Sequence, residues 1–167
     1  ENIPKNTAPI FVCNHSSYLD APAIILAVPG QFRPLGKVEL SRAIFFGWIY
    51  RKVVVMVDRS NAQSRADSLK QMAQKLSKGI PVLIFPEGTM NRSKQALLAL
   101  HTGAPLVPMV IHNSGNLLPP GQYLKLRPGV IHIRFAQAIE SRSIYNPQSL
   151  MQEAHKVMTQ MLMEKAN

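Results

Sequence analysis

Ile10-Phe11-Val12-Cys13-Asn14-His15-Ser16-Ser17-Tyr18-Leu19-Asp20-Ala21-Pro22-Ala23-Ile24-Ile25-Leu26 carries three signals in one stretch. Ile10 to Cys13 is an unbroken apolar run with the length of a buried strand. Asp20 to Leu26 reads as a helix start, with Asp20 as N-cap and Pro22 in the first turn, where a missing N–H costs nothing. Between them lies a polar turn bracketed by His15 and Asp20. Within one helix, a five-residue offset would set two side chains about 140° apart. A turn can instead fold them together, so that a carboxylate oxygen holds the imidazole Nδ1–H and leaves Nε2 free as a base. A plain helix cap at Asp20 needs no chemistry at all, so the pair is a candidate only.

Outward from this stretch, strand and helix alternate. A helical pattern near 39–50 places Leu40, Ile44, Phe45 and Trp48 on one face. Val53 to Val57 reads as a short interior strand ending at Asp58-Arg59. Asn61 or Ser64 opens a helix carrying Leu69, Met72, Ala73 and Leu76, and Gly79 stops it. Pro81 to Phe85 is the next strand and runs into Pro86-Glu87-Gly88-Thr89. A helix is expected over 94–101, then a strand over 106–111 in which Pro108 requires an edge or a bulge. Val130 to Phe135 alternates, with Ile131, Ile133 and Phe135 inward and His132 facing solvent. Asn146-Pro147 opens a last helix whose Met-rich stripe reads as core. The expected architecture is α/β: a mostly parallel central sheet flanked by helices, with an antiparallel or mixed part near the C-terminus.

In such folds ligands gather at the carboxyl ends of the strands. Three polar clusters fall there: Asn14 to Asp20, Asp58-Arg59 and Glu87-Gly88-Thr89. Arg59 can grip a phosphate bidentately. Gly88 allows close backbone approach and Thr89 offers a hydroxyl. A helix starting near Asn91 would add free N–H groups to an anion site. The alternative for Glu87-Gly88-Thr89 is a turn with a polar cap.

Composition narrows the partners. The 167 residues suffice for one domain with a real core, and 46% are apolar. Nineteen Lys plus Arg against nine Asp plus Glu give a net charge of +10, which favours anionic partners. Cys13 is the only cysteine, so no internal disulfide forms. No apolar run approaches the ~20 residues of a membrane-spanning helix, and no signal peptide is visible. The five histidines have no Cys partners at metal spacing, so a zinc site is not expected. Gly30 to Gly36-Lys37 has the wrong spacing for a Walker loop, and no Gly-x-Ser-x-Gly elbow supplies a serine nucleophile. The few aromatics are not interleaved with basic residues, which argues against nucleic acid.

Taken jointly, the motifs resemble the glycerolipid acyltransferases of the 1-acylglycerol-3-phosphate acyltransferase type. Asn14 to Asp20 is similar to that family's Asn-His-x-x-x-x-Asp block. Gly47-Trp48 with Val57-Asp58-Arg59-Ser60, Phe85-Pro86-Glu87-Gly88-Thr89 and Val107-Pro108-Met109-Val110-Ile111 resemble its second, third and fourth. The resemblance implies one catalytic domain over residues 1–167, without the family's usual N-terminal membrane-associating segment, and an acyltransferase-like fold. It implies that His15, held by Asp20, deprotonates the hydroxyl of lysophosphatidic acid, which attacks the thioester of acyl-CoA or acyl-carrier protein to give phosphatidic acid. Arg59, Glu87, Gly88 and Thr89 would hold the glycerol phosphate. Where many members carry arginine after Glu-Gly-Thr, Met90 stands here, and Arg92 is the candidate substitute. The path from Thr89 to Pro108 is short, because the family usually has a further loop there. No cofactor or metal is expected. The expected location is the cytoplasmic face of a membrane, peripheral or anchored, with an anionic surface as partner. Competing readings are another lysolipid, an acylated amino-acid lipid or glycerol 3-phosphate as acceptor, or a non-catalytic module binding anionic lipid.

Overall fold

A computed structural model describes residues 2–42, 46–85, 92–122, 124–144 and 146–164. In chain order it holds β1 (Ile10–Cys13), α1 (Asp20–Ala27), β2 (Arg33–Lys37), a 3₁₀ turn (Val38–Arg42), α2 (Phe46–Val53), β3 (Val55–Val57) and α3 (Ala62–Ser77). Then follow β4 (Val82–Ile84), α4 (Arg92–Thr102), β5 (Leu106–His112), the one-turn α5 (Ser114–Leu117), β6 (His132–Phe135), a second 3₁₀ turn (Ser141–Ser143) and α6 (Pro147–Met163). Among the described residues the six strands form one sheet in the order β3-β2-β4-β1-β5-β6. All neighbours run parallel except β5 and β6. The expected mostly parallel sheet with an antiparallel end is what is found.

Alternate strand residues divide between two cores. Ile10, Val12, Val82, Ile84, Leu106 and Val110 face Met72 and Leu76 of α3, Ala96 and Ala99 of α4, and Leu150, Ala154 and Met158 of α6. Phe11, Cys13, Leu83, Val107 and Met109 face the opposite way, toward Ile24 of α1 and Val28. Each fully buried Leu, Ile, Val or Met contributes about 1.5–3 kcal/mol by leaving water. On the second face Tyr50 of α2 lies against Gly36 of β2, where any Cβ would collide with its hydroxyl. Gly47 is likewise pressed on the Ser41 carbonyl, which seats α2 on the 3₁₀ turn.

The chain's path fixes where a ligand can enter. From β1 it passes through α1 and α2 to β2 and β3, toward one edge. From β3 it returns through α3 to β4, inside β2, and through α4 to β5. A single crossover hand requires helices of opposite travel to lie on opposite faces. So the connections leaving β1 and β4, adjacent in the sheet, diverge to the two faces. The crevice between their carboxyl ends is the topological switch point, where open α/β sheets bind ligands.

Several expectations need correction. β2 was not anticipated, because Arg33-Pro34-Leu35-Gly36-Lys37 buries only Leu35. Val53 closes α2 instead of opening a strand, and β3 is an edge strand of the sheet, not an interior one. The helical pattern over 39–50 divides into the 3₁₀ turn and α2, and Leu40 and Trp48 are exposed, with the Lys52 ammonium 3.9 Å from the Trp48 ring centroid. Pro108 lies in an interior strand, not at an edge. There the pairing steps from Met109↔Phe135 to Leu106↔Ile139, three residues against four, so the bulge is real. The Pro108 carbonyl still accepts from Ala136 N–H at 2.9 Å. His132 is half-buried, not solvent-facing, because it pairs with His112. The ends of α3 and the start of α6 hold as read. Asn61 accepts from Ser64 N–H at 3.1 Å, Asn146 accepts from Gln148 N–H at 2.9 Å, and Gly79 takes the left-handed φ of 73° that stops α3. No described helix is long and apolar enough to cross a membrane.

Candidate functional site

β1 ends at Cys13, and Asn14 extends its hold on β5: its amide donates to the Ile111 carbonyl at 3.0 Å and accepts from Ile111 N–H at 2.8 Å. Clamped there, the chain turns up over the rim. α1 begins at Asp20, with Leu19 as the cap residue, so Asp20 is not the N-cap expected. Its side chain points back into the turn before it. There Oδ2 accepts from Ser16 N–H at 2.8 Å, Ser17 N–H at 2.9 Å and His15 Nδ1 at 2.8 Å. The turn thus closes on its own carboxylate, which brings His15 and Asp20 together where a helix would have parted them.

The electrostatics follow from this geometry. Asp20 is fully buried, and burial alone would raise its pKa. The His15 ring, the Ser114 hydroxyl and the N–H groups of Ser17 and Ser16 outweigh that cost and hold it below 3.8. An ionised carboxylate can only accept, so the shared proton sits on His15 Nδ1. In the neutral imidazole Nε2 is then the acceptor, on a side chain that is 45% exposed. One face of the ring is covered by Phe85, stacked at 4.5 Å between centroids with a 29° interplanar angle. The histidine is held by the chain leaving β1 on one side and the chain leaving β4 on the other, at the switch point itself.

The remaining candidates are distributed as follows. Arg59 lies at the same rim, two residues beyond β3. Its positive charge is felt by the Tyr50 phenol, whose pKa burial pushes up to about 12. The Arg59 carbonyl accepts from the Arg65 guanidinium at 2.7 Å, and Asp58 closes the turn around it by accepting from Ser60 N–H and hydroxyl at 2.9 and 2.6 Å. From β1 to β3 is three strand spacings, about 14 Å. Glu87, Gly88 and Thr89 lie outside the described residues, although Phe85, two residues before Glu87, is against His15. Arg92 is the first residue of α4, the helix expected after Thr89. Among the described residues no group of three or more His, Cys, Asp or Glu is placed to hold a metal ion.

Two contributors were missed from sequence. In the sequence Phe85 reads as the end of a strand and the first residue of the Phe85-Pro86-Glu87-Gly88-Thr89 block, with no sign that it meets His15. Ser114 carried no signal, yet it is fully buried, with its hydroxyl 3.2 Å from that of Ser16.

Residues 1–138 match a family model described as Acyltransferase. The 1-acyl-sn-glycerol-3-phosphate acyltransferase of Cocos nucifera is 30% identical over 147 residues, covering 82% of this chain and 47% of that protein. The protein of the same name from Pseudomonas aeruginosa is 32% identical over 158 residues, covering 84% and 57%. The chain thus spans about half the length of these relatives. The crystal structure of the 1-acyl-sn-glycerophosphate (LPA) acyltransferase PlsC from Thermotoga maritima superposes with a TM-score of 0.80 at 25% identity, covering 96% of this chain and 67% of that one. The matched residues take in all six strands and the turn that closes on Asp20, and the chain belongs to the acyltransferase family.

Proposed function

We propose that the protein transfers a fatty acyl group from a thioester, acyl-CoA or acyl-carrier protein, to the free hydroxyl of lysophosphatidic acid. The observation that carries this reading is the His15–Asp20 pair at the switch point, with Nε2 open and its tautomer set by a buried carboxylate. Nε2 takes the acceptor's hydroxyl proton as its oxygen attacks the thioester carbonyl. The tetrahedral intermediate collapses with cleavage of the C–S bond, and the leaving sulfur takes the proton from the imidazolium. The products are phosphatidic acid and a free thiol, and the imidazole returns to its starting state. A positioned base of this kind contributes about 10²–10⁴-fold. Asp20 keeps the tautomer and steadies the imidazolium, a role on the order of 10⁴ in hydrolase triads.

Arg59, Glu87, Gly88, Thr89 and Arg92 are proposed to hold the phosphorylated end of the acceptor. The names of the relatives support lysophosphatidic acid as that acceptor. The net charge of +10 suits two phosphorylated substrates and an anionic membrane surface, on whose cytoplasmic side we place the enzyme. Thiol release, followed with a panel of lysolipids, glycerol 3-phosphate and both classes of donor, tests the reading. Turnover should require a lysophospholipid and vanish in His15→Ala. Equal turnover by that variant would remove His15 from the mechanism.

A further inference from the structure

The loop between α5 and β6 exposes every residue from Leu124 to Val130. Leu124 is 100% exposed, Leu126 64% and Val130 63%, an apolar group that a soluble surface gains nothing by displaying. Lys125 and Arg127 alternate with them. The chain carries no Asp or Glu between Glu87 and Glu140. The loop is nonetheless pinned: Arg127 N–H donates to the Leu117 carbonyl at 2.8 Å and the Asn113 amide donates to the Val130 carbonyl at 2.9 Å.

Its roots lie beside the histidine. Ser17 Oγ donates to the Leu118 carbonyl at 2.8 Å, Ser16 and Ser114 share a hydroxyl contact, and a Cβ on Gly115 would touch Ser16. We infer that Leu124, Leu126 and Val130 insert into the boundary of an anionic bilayer while Lys125 and Arg127 meet its headgroups, turning the His15 rim toward the lipid. Apolar side chains interleaved with cations fit that occupant and not an apolar protein groove. The inference rests on the acyl-transfer reading for its purpose, since a lysolipid in a bilayer presents its hydroxyl at headgroup depth.

The test uses the whole chain with vesicles of phosphatidylcholine alone or mixed with phosphatidylglycerol, followed by flotation. Wild type should float with the mixed vesicles, Leu124→Asp/Leu126→Asp should bind at least about tenfold more weakly, and Lys125→Glu/Arg127→Glu should lose about fivefold or more per charge, on mixed vesicles only. Thiol release with a short-chain lysophosphatidic acid kept monomeric in water should be the same in all three proteins, while turnover of vesicle-borne acceptor falls in the variants. Absent flotation of wild type, unchanged flotation of the variants, or loop-dependent self-association without flotation would overturn the docking surface. Loss of turnover on the monomeric acceptor would overturn it too, by making the loop part of the substrate site. Failure of wild type to release thiol with any acceptor, with flotation intact, would instead strike only the acyl-transfer reading.

Discussion

The two faces of the sheet are built unequally. Under α3, α4 and α6, Ile10, Val12, Met72, Ala99, Leu106 and Leu150 are wholly removed from water. On the α1 face Phe11, Cys13, Val107 and Met109 are buried as deeply, but they form a smaller cluster, and Phe32, Phe85, Ile131, Ile133 and Phe135 around them are only partly covered. α1 itself is apolar nearly all round, yet Ile25 is 67% and Leu26 89% exposed. The closed face holds the fold, whereas the open one carries His15, Phe85 and Tyr50 toward the rim. A site for an amphiphile needs accessible apolar surface beside its polar groups, and a face sealed like the first could not provide it.

Substitutions can break or sharpen that contrast. The largest effect is expected at the turn on the open face. Asp20→Asn should cut thiol release by about 10⁴-fold, because an amide no longer enforces the Nδ1–H tautomer. A loss below tenfold would place the proton transfer elsewhere. The same residue couples the turn to pH. Its folded pKa lies below 3.8, so its stabilisation is complete above that value and is lost as pH falls through the lowered pKa. Acid unfolding of wild type should steepen below pH 3.8 relative to Asp20→Asn, as read by circular dichroism.

Next comes the closed face. Met72→Ala removes a fully buried side chain and should cost about 2–5 kcal/mol in denaturant titration. A smaller cost would mean that the face can collapse and is not closed. Arg59→Ala should raise the KM for the phosphorylated acceptor about tenfold to a hundredfold, the worth of a charged hydrogen bond. A change confined to the thioester's KM would reassign it. Smallest is Leu26→Ser on the outer surface of α1, expected within about 0.5 kcal/mol of wild type. A cost like that of Met72→Ala would show that something covers α1 in solution.

The strand-turn-helix at Ile10 to Ala27 was legible because its signals are local: four apolar residues, a polar turn, a proline in the first helical turn. Asn61, Gly79, Asn146 and the alternation of Ile131, Ile133 and Phe135 were legible for the same reason. β2 was not, since its place in the sheet comes from backbone pairing with β3 and β4 and from a glycine that makes room for Tyr50, neither visible as apolar periodicity. Asp20 was misread as a cap because its acceptor role is spent on the preceding turn, a choice made by three-dimensional closure.

By itself the sequence determined the alternation of elements, the rim on which polar residues collect and the identity of a histidine and an aspartate that can meet, because spacing and side-chain chemistry are properties of the chain. Only the tertiary structure decided that Phe85 and Ser114, 70 and 99 positions beyond His15, complete its surroundings. It alone decided that the histidine stands where connections part to opposite faces, because contacts between distant segments are set by packing and strand order.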